Sequence, residues 1–501
     1  MMSQHRPQYE HSPLRLDRCS DLASLRRALE DARYDETSVA ATVLADDCKP
    51  LDLVTALRRT DEPTPHNTLV RLFVLACAVS SEAAEAALGK TQLEQLGELG
   101  LLKQTADGVQ AEASLMASEG LWLVRDFWPD FVGSTRADFV LGVGPASRAL
   151  AGVTVRTRVE SVLDLGTGCG YQALLAARHA GRVVATDTNP RALNFTACNA
   201  RLNELPNVEL RHGSLYEPVD RQQFELLVCN PPFVISPRSD YEYCDSGMPA
   251  DSISEQVIRG APERLCEGAY ASVLFDWHHG DDDDWARRPT EWMAENGCDC
   301  WFLCFKTTDP ISYAATWLHH ERSGDPQAYQ RLLDNWLSYY ERMGIGRISS
   351  GTLVMRRRPG GANWLRAEKS PPGQASGSCG DQIQRVFAAA DLLAGLADQR
   401  ELLEMSFLLT ADHRLEQVLH AEDGNWMVQE ILLKQVEGFP FVGKLDRLMT
   451  TVLAGCDGRH TLGQLAAEIA DGLHADREQV AAACTAVIRK LLETGFLVVS
   501  C

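Results

Sequence analysis

Between Arg136 and Arg358 the sequence alternates short apolar stretches with amphipathic helical segments. The apolar stretches include VESVLDL, RVVATD, FELLVCN and YASVLFDW, and segments such as ALLAARHA and ALNFTACNARLN separate them. DCWFLCFK and RISSGTLVMRR supply two further strands. Strands that alternate with helices form a parallel sheet through right-handed crossovers. The sequence therefore predicts a doubly wound, Rossmann-like, seven-stranded α/β domain over residues 136–358.

The first of these strands ends in a glycine-rich turn within SVLDLGTGCGYQALLAA. The turn contains Asp164, Gly166, Gly168 and Gly170 and leads directly into a helix. Glycine has no Cβ, so the backbone can approach a ligand closely at the carboxyl edge of the sheet. Asp164 suits a ligand that carries an ammonium group, whereas its carboxylate would repel the pyrophosphate of a dinucleotide. A plain turn is the structural alternative.

A carboxylate also ends the second strand, because Asp187 is the last residue of RVVATD. At this position a carboxylate can accept hydrogen bonds from both hydroxyl groups of a ribose. The alternative is a solvated strand end or a helix cap. Together with the glycine turn, Asp187 predicts a site for a nucleoside.

A second motif consists of Asn230, Pro231, Pro232 and Phe233, directly after FELLVCN. It leaves the sheet at the same carboxyl edge as the glycine turn. The Asn230 side-chain oxygen and the Pro231 carbonyl can accept the two N–H groups of a planar nitrogen, whose delocalised lone pair needs orienting. The prolines fix the backbone, and Phe233 can stack on a flat group. An ordinary turn followed by a core phenylalanine is the alternative.

Three segments together, DLGTGCG, ATDTNPRAL and CNPPF, resemble the small-domain branch of class I S-adenosylmethionine-dependent methyltransferases. This branch includes release-factor glutamine methyltransferases and enzymes that methylate bases in ribosomal RNA and DNA. The resemblance covers residues 140–277. It implies S-adenosylmethionine as the cofactor and a planar amide or amine nitrogen as the methyl acceptor.

The resemblance also assigns positions within the cofactor site. Its methionine side is lined by Asp164, Gly166, Gly168 and Gly170, its ribose is held by Asp187, and its adenine lies beside Ser214 and Leu215. The predicted cofactor set is completed by Thr167, Thr188 and Asn230. Many relatives carry aspartate where this chain has Ser214, so a carboxylate contact to the adenine amine is not expected here.

The segments that flank these motifs are VLGVGPASRAL and YCDSGMPADSISEQVIRGAPERL. With them, the layout of the chain resembles a group of actinobacterial proteins that are commonly classed with glutamine methyltransferases. Gly144, Ser147 and Asp245 are candidate pocket residues in these flanks. Ordinary turns and caps are the favoured interpretation of all three.

The rest of the chain predicts two accessory domains. Residues 1–135 read as a mainly helical module that ends in a helix, a glycine turn and a hairpin, as in a winged helix. Residues 359–382 are rich in Gly, Pro and Ser and predict a linker. Residues 383–501 end in two helices with capping-box patterns and a strand, which again is winged-helix-like.

Charge and composition restrict the partners. The net charge of −21 disfavours a broad nucleic-acid surface, which needs Lys and Arg to neutralise phosphates. The fifteen cysteines are scattered singly and predict reduced thiols rather than a disulfide framework. Cys298 and Cys300 lack a second ligand pair, so no metal site is predicted. The absence of a leader and of a long apolar segment predicts a cytoplasmic protein without a membrane partner.

These observations predict an N-methyltransferase that acts on a protein glutamine, as in translation termination factors. The acidic charge and the accessory modules favour a protein substrate. An exocyclic base amine in RNA or DNA is the first alternative, since Asn-Pro-Pro-Phe suits base amines equally well. A small molecule or a biosynthetic peptide is a further alternative, and a non-catalytic scaffold is disfavoured by the intact motifs.

Overall fold

The computed structural model of the chain divides into two compact units. The first comprises Met1–Leu150 and Thr157–Glu368, and the second comprises Ala151–Arg156 and Lys369–Cys501. The structure describes residues 14–19, 21–44, 52–128, 136–237, 246–280, 285–319, 325–360, 362–370 and 377–500. Within these ranges, none of the helices combines the length and the apolar character needed to cross a bilayer.

The first unit begins with short helices and two β-hairpins. The helices are α1 (Ala23–Asp31), α2 (Glu36–Val43), α3 (Leu53–Arg59), α4 (Pro65–Phe73), α5 (Ser81–Leu88) and α6 (Lys90–Leu99). The hairpins pair β1 (Leu102–Thr105) with β2 (Gly108–Ala111), and β3 (Ser114–Ser118) with β4 (Leu121–Arg125). Local signals set the boundaries: the Thr64 side chain caps α4 ahead of Pro65, and Gly100 ends α6 in the left-handed conformation.

A mixed sheet forms the centre of this unit. Its strands are β5 (Val159–Leu165), β6 (Ala180–Asp187), β7 (Val208–His212), β8 (Phe224–Cys229), β9 (Leu265–His279), β10 (Cys298–Thr308), β11 (Arg347–Arg357) and β12 (Leu365–Lys369). They lie in the order β12-β10-β11-β9-β8-β5-β6-β7. Strands β5 to β9 pair in parallel, and β11 runs antiparallel to β9 and β10. The predicted Rossmann-like α/β arrangement is confirmed.

The strand order reverses between β5 and β8, which is where ligands bind in open α/β sheets. The helices of this part are α7 (Pro145–Val153), α8 (Tyr171–Ala177), α9 (Pro190–Leu202), α10 (Ser252–Gly260), α11 (Arg287–Met293), α12 (Pro310–Trp317) and α13 (Pro326–Met343). Since β11 is antiparallel to both β9 and β10, β10 ends at the same carboxyl edge as β8. Helices α12 and α13 therefore form an insertion that starts at this edge.

The sheet has eight strands in the described chain, one more than the sequence predicts. The additional strand β12 lies inside residues 359–382, which the sequence analysis assigns to a linker. The Cys300 N–H donates to the Trp364 carbonyl at 2.9 Å, beside the start of this strand. An edge strand needs a partner on one side only, so a short polar segment such as LRAEK pairs without the apolar pattern of a buried strand.

Aromatic packing links the strands β9 and β10 across β11, which lies between them in the sheet. Trp277 and Phe302 are fully buried, and their ring centroids lie 4.9 Å apart in an edge-to-face arrangement. Phe275 lies 5.5 Å from the Phe302 ring. Burying an aromatic or aliphatic side chain of this kind contributes about 1.5–3 kcal/mol. The carboxyl ends of these strands are thus held in place by the core beneath them.

The second unit contains α14 (Gly380–Gly395), α15 (Arg447–Gly455), α16 (Leu462–Leu473) and α17 (Arg477–Glu493). Its strands are β13 (Ser406–Leu409), β14 (His413–Glu422), β15 (Asn425–Gln435), β16 (Val442–Leu445), β17 (Asp457–Thr461) and β18 (Leu497–Val499). They form the sheets β17-β13-β18 and β14-β15-β16. Elements α16, α17 and β18 occupy the segments where the sequence predicts a helix, a helix and a strand. Both halves of the predicted capping box form at Thr461 and Gln464.

A buried ion pair joins Asp126, the residue after β4, to helix α9 within the first unit. Arg191 Nη2 lies 2.6 Å from Asp126 Oδ1, and both side chains are less than one tenth exposed. Asp126 Oδ2 also accepts a hydrogen bond from the Val140 N–H at 2.9 Å. This pair therefore fixes the segment around Val140 relative to α9.

Substitution of Arg191 by alanine should destabilise the first unit by about 3–5 kcal/mol, because it leaves the Asp126 carboxylate buried without its counter-ion. Arg148→Ala is the matched control. Arg148 pairs with Glu36, and both side chains are more than one third exposed, so this loss should cost at most about 1 kcal/mol. Urea unfolding followed by tryptophan fluorescence measures both. Equal destabilisation by the two substitutions would contradict the role given to the buried pair.

Candidate active site

The glycine turn after β5 lies against a cavity of about 350 Å³. Gly166, Gly168 and Gly170 have φ angles of +77°, +57° and +85°, a region that favours glycine. The Gly166 and Thr167 N–H groups both donate to the Thr186 carbonyl at 2.9 Å. A Cβ at Gly166 or Gly168 would meet no atom within 4 Å, and both residues line the cavity. The turn therefore presents bare backbone to the cavity.

Asp164 lies behind this turn rather than in the cavity lining. Its Oδ2 atom accepts hydrogen bonds from the Thr167 hydroxyl at 2.7 Å and from the Ala173 N–H at 3.0 Å. Burial raises the pKa of Asp164 to about 7. The side chain links the turn to the first residues of α8. It therefore acts on a bound ligand by fixing the position of the turn. A direct contact with the methionine part of a cofactor stays a prediction.

Asp187 ends β6 and lines the cavity, as does Thr188. Asp187 Oδ2 accepts from the Gly168 N–H at 2.9 Å, and its Oδ1 accepts from the Asn189 N–H at 2.9 Å. Burial raises the pKa of Asp187, and the backbone hydrogen bonds oppose that rise. Each carboxylate oxygen keeps capacity for a further donor. The structure thus brings the glycine turn and the predicted ribose carboxylate together.

The predicted adenine residues Ser214 and Leu215 line the same cavity. Leu215 has a φ of +47°, which is unusual for a residue with a side chain. The preceding Gly213 donates its N–H to the Asp187 carbonyl at 3.1 Å. A backbone held in this conformation beside a cavity is typical of ligand sites.

Asn230, Pro231 and Pro232 follow β8 and form another part of the lining. The side-chain oxygen of Asn230 is buried and accepts no hydrogen bond from the described residues. A buried oxygen without a donor is costly, so its presence in a cavity points to a donor supplied by a ligand. The Pro231 carbonyl accepts from the Phe233 N–H at 2.8 Å, which uses one of its two lone pairs.

Phe233 lies outside the cavity lining and packs, partly buried, against an apolar cluster that includes Ile235, Tyr313 and Tyr340. Its predicted stacking role stays a prediction. Cys229, the last residue of β8, does line the cavity. Burial raises the pKa of the Cys229 thiol well above its usual range, so the thiol is protonated and a poor nucleophile.

Two further walls of the cavity escaped the motif analysis. One is formed by Phe139, Val140, Leu141 and Gly142, and the other by Ser246, Met248, Ile253 and Val257. Apart from Phe139, both lie in the flanking segments that carry the resemblance. Of the candidates there, Ser147 lines the cavity, Gly144 does not, and Asp245 lies outside the described residues. Apart from Ser246, these wall residues are apolar or glycine, and such residues carry no chemical signature in a single sequence.

No group of three or more His, Cys, Asp or Glu side chains in the described ranges is arranged to hold a metal ion.

Gly170 should be less tolerant of substitution than Gly168, because a Cβ at Gly170 would lie 2.8 Å from Thr196 Cγ2. For Gly168→Ala we expect the free energy of unfolding to fall by about 1–2 kcal/mol because of the positive φ alone. Gly170→Ala should lose a further 1–3 kcal/mol or so from overpacking. Gly144→Ala is the control, since its added Cβ would meet open space without a positive φ. Urea unfolding ranks the three variants; a Gly170 variant as stable as the Gly144 variant would contradict this packing.

Comparison with known proteins supports the motif analysis. The family model described as "Methyltransferase small domain" matches residues 141–269. Two domain families of unknown function match residues 51–112 and 384–499.

Among curated relatives, two release factor glutamine methyltransferases of Xylella fastidiosa align over 195 residues. The protein of strain Temecula1 is 30% identical to this chain, and that of strain 9a5c is 34% identical. Each alignment covers 36% of this chain and 68% of the relative. A ribosomal protein uL3 glutamine methyltransferase of Bradyrhizobium diazoefficiens is 34% identical over 122 residues, which is 22% of this chain and 38% of the relative. The resemblance inferred from the motifs is confirmed. The chain belongs to the family of the release factor glutamine methyltransferases and is an S-adenosylmethionine-dependent methyltransferase.

Proposed function

We propose that the chain methylates the side-chain amide nitrogen of a glutamine in a protein, as the names of its relatives state for them. The observation that carries this proposal is the buried Oδ1 atom of Asn230 in the cavity wall, which accepts no hydrogen bond from the part of the chain that the structure describes. An amide nitrogen is a weak nucleophile because its lone pair is delocalised into the carbonyl. A site that fixes its two N–H groups aligns the lone pair with the methyl donor.

Asn230 Oδ1 accepts one N–H group of the acceptor in this proposal. The remaining lone pair of the Pro231 carbonyl accepts the other, since the Phe233 N–H occupies only one. These acceptors also stabilise the positive charge that develops on the nitrogen as it takes the methyl group from the sulfonium, and one N–H proton is then released. Alignment is the larger contribution, because well-oriented reactants gain about 7–11 kcal/mol over free encounter.

The cofactor half of the cavity fits S-adenosylmethionine. Gly166 and Gly168 present backbone without a Cβ, and Asp187 offers carboxylate oxygens for ribose hydroxyls. Ser214 and Leu215, the proposed adenine residues, line the same cavity, and Asp164 holds the turn from behind. When bound, S-adenosylmethionine supplies an electrophilic methyl group on a sulfonium. Thr167, Thr188, Gly170 and Asn230 complete the proposed set, with Gly170 acting through its close packing on α9.

The accessory modules are proposed to dock the substrate. We keep the division into residues 1–135, 136–358, 359–382 and 383–501, with winged-helix-like modules at both ends, except that β12 (Leu365–Lys369) belongs to the catalytic sheet and shortens the linker. Three separate family models match within the first, second and fourth of these ranges, which supports a modular chain. The net charge of −21 favours a protein over a polyanion as the partner. We propose a translation termination factor as an example of such a protein substrate.

Asn230→Ala should lower turnover by about 100- to 1000-fold, the range seen when one preorganised hydrogen-bonding group is removed from an active site. Most of the affinity for S-adenosylmethionine should persist, because the glycine turn, Asp187 and the rest of the proposed cofactor set apart from Asn230 are untouched. Asn425→Ala, at an exposed position of β15, is the control. Turnover and calorimetric binding of the cofactor separate the two effects. Near-normal turnover of the Asn230 variant would contradict the proposed orientation of the acceptor.

Cofactor binding should weaken in acid through Asp187. Burial raises the pKa of this carboxyl above its ordinary 3.8, and the ionised form is the better acceptor for ribose hydroxyls. Affinity is therefore full above the raised pKa and falls as the pH drops through it. Asp187→Asn should bind about tenfold more weakly, the loss of a charged hydrogen bond, and should lack this acid dependence. Dissociation constants across the pH range measure both; an identical acid dependence in the variant would assign it to another group.

The acceptor itself is identified by methyl transfer from radiolabelled S-adenosylmethionine in a lysate that lacks the endogenous protein. Parallel samples are digested with protease or with nuclease. We expect label that survives nuclease, is lost to protease and lies on glutamine-bearing peptides. Label that is lost to nuclease would replace the proposed substrate with a base amine.

A further inference from the structure

Tyrosine hydroxyls from the insertion between β10 and β11 bind the backbone that follows the Asn-Pro-Pro-Phe motif. The Ile235 N–H donates to the Tyr313 hydroxyl oxygen at 3.2 Å. The Tyr340 hydroxyl donates to the Ile235 carbonyl at 2.8 Å. Farther along the chain, the Ala250 N–H donates to the Tyr339 hydroxyl oxygen at 2.7 Å. Both backbone groups of Ile235 are thus held by side chains of the insertion.

The Tyr313 contact is itself anchored in the sheet. Its hydroxyl donates to Asp276 Oδ2 at 2.6 Å, near the carboxyl end of β9. Asp276, Tyr313 and Tyr340 are all at most 5% exposed. Burial raises the pKa of both tyrosines, so their hydroxyls stay protonated and able to donate. The chain of hydrogen bonds from β9 to Ile235 is therefore buried and complete.

Ile235 is separated from the motif by only Val234, and the turn between them has little freedom. Phe233 bonds back to the Pro231 carbonyl and packs against the same cluster as Tyr313. Beyond Ile235, the cavity wall residue Met248 lies two positions before Ala250, which Tyr339 holds. The insertion thus holds the backbone after the Asn-Pro-Pro-Phe motif and the backbone next to the wall at Met248. The part of the cavity between them, beside Asn230 and Pro231, is the acceptor half.

We propose that Tyr313 and Tyr340 are positioning residues that set the place of Asn230 for the methyl acceptor. This inference rests on the proposed function, because it gives Asn230 the role of orienting the acceptor nitrogen. Neither tyrosine lines the cavity, so each acts through Ile235 and the motif. Loss of either hydroxyl should therefore lower kcat. It should leave the affinity for S-adenosylmethionine unchanged, because the glycine turn and Asp187 follow other strands.

The test compares Tyr313→Phe and Tyr340→Phe with Tyr329→Phe. Each change removes one hydroxyl and keeps the ring, so the packing of the cluster is preserved. Tyr329 lies on α13, is partly buried in the same cluster, and its hydroxyl forms no hydrogen bond with the described residues. The readouts on the full chain are kcat, KM for the acceptor, the dissociation constant of S-adenosylmethionine, and hydrogen–deuterium exchange at the Ile235 amide.

We expect kcat to fall about 10- to 100-fold in the Tyr313 and Tyr340 variants, as for a misplacement of about 1 Å or less at a reacting centre. The cofactor dissociation constant should stay that of the wild type. Exchange at the Ile235 amide should accelerate in Tyr313→Phe, which removes its acceptor, and stay unchanged in Tyr329→Phe.

Unchanged kcat in both variants would overturn the inference, and so would unchanged exchange at Ile235 in Tyr313→Phe. A parallel loss of cofactor affinity would also overturn it, since that result indicates general loosening. The proposed function can be refuted by a different result from the one that refutes the role of the tyrosines. If the acceptor is a base amine, the glutamine proposal is wrong, but the exchange data and the kcat ratios on that acceptor still decide the role of the tyrosines.

Discussion

The parallel pairing of β5 with β8 is the constraint on which the site depends. In this register Leu165 lies opposite Cys229, so the glycine turn and the Asn-Pro-Pro-Phe motif leave the sheet side by side. Pairing of β5 with β6 places Leu165 beside Thr186, one residue before Asp187. Three loops that are far apart in the chain therefore meet around one cavity. The buried strand ends supply the geometry, and the loops supply the chemistry.

Residues behind the cavity wall help to hold this geometry. Asp164 ties the turn to α8, and the Asp126–Arg191 pair holds the wall segment at Val140. The insertion tyrosines do the same for the backbone after the motif. Each contact joins a ligand-facing loop to a rigid element, which is the arrangement that preorganised catalysis requires. The cofactor half and the acceptor half have separate supports, so substitutions can perturb one without the other.

The sequence predicted the features that have a periodic or chemical signature. Apolar strands, the glycine turn and the capping box at Thr461 follow local rules, and the structure places them as expected. Strand β12 was missed because a short polar edge strand is defined by its neighbour rather than by its own residues. The place of Phe233 depends on a cluster contributed by residues about 80 to 110 positions later, which periodicity cannot reveal. The contacts of Tyr313 and Tyr340 with Ile235 were hidden for the same reason.

The central claim is that Asn230 Oδ1 receives an N–H group of a glutamine amide. A crystal structure of the full chain with S-adenosylhomocysteine and a glutamine-bearing peptide from the labelled acceptor tests it most directly. We predict that the amide nitrogen lies within hydrogen-bond distance of both Asn230 Oδ1 and the Pro231 carbonyl, facing the cofactor sulfur. A complex in which Asn230 Oδ1 bonds only to the cofactor or to water, with the amide elsewhere, would contradict the account.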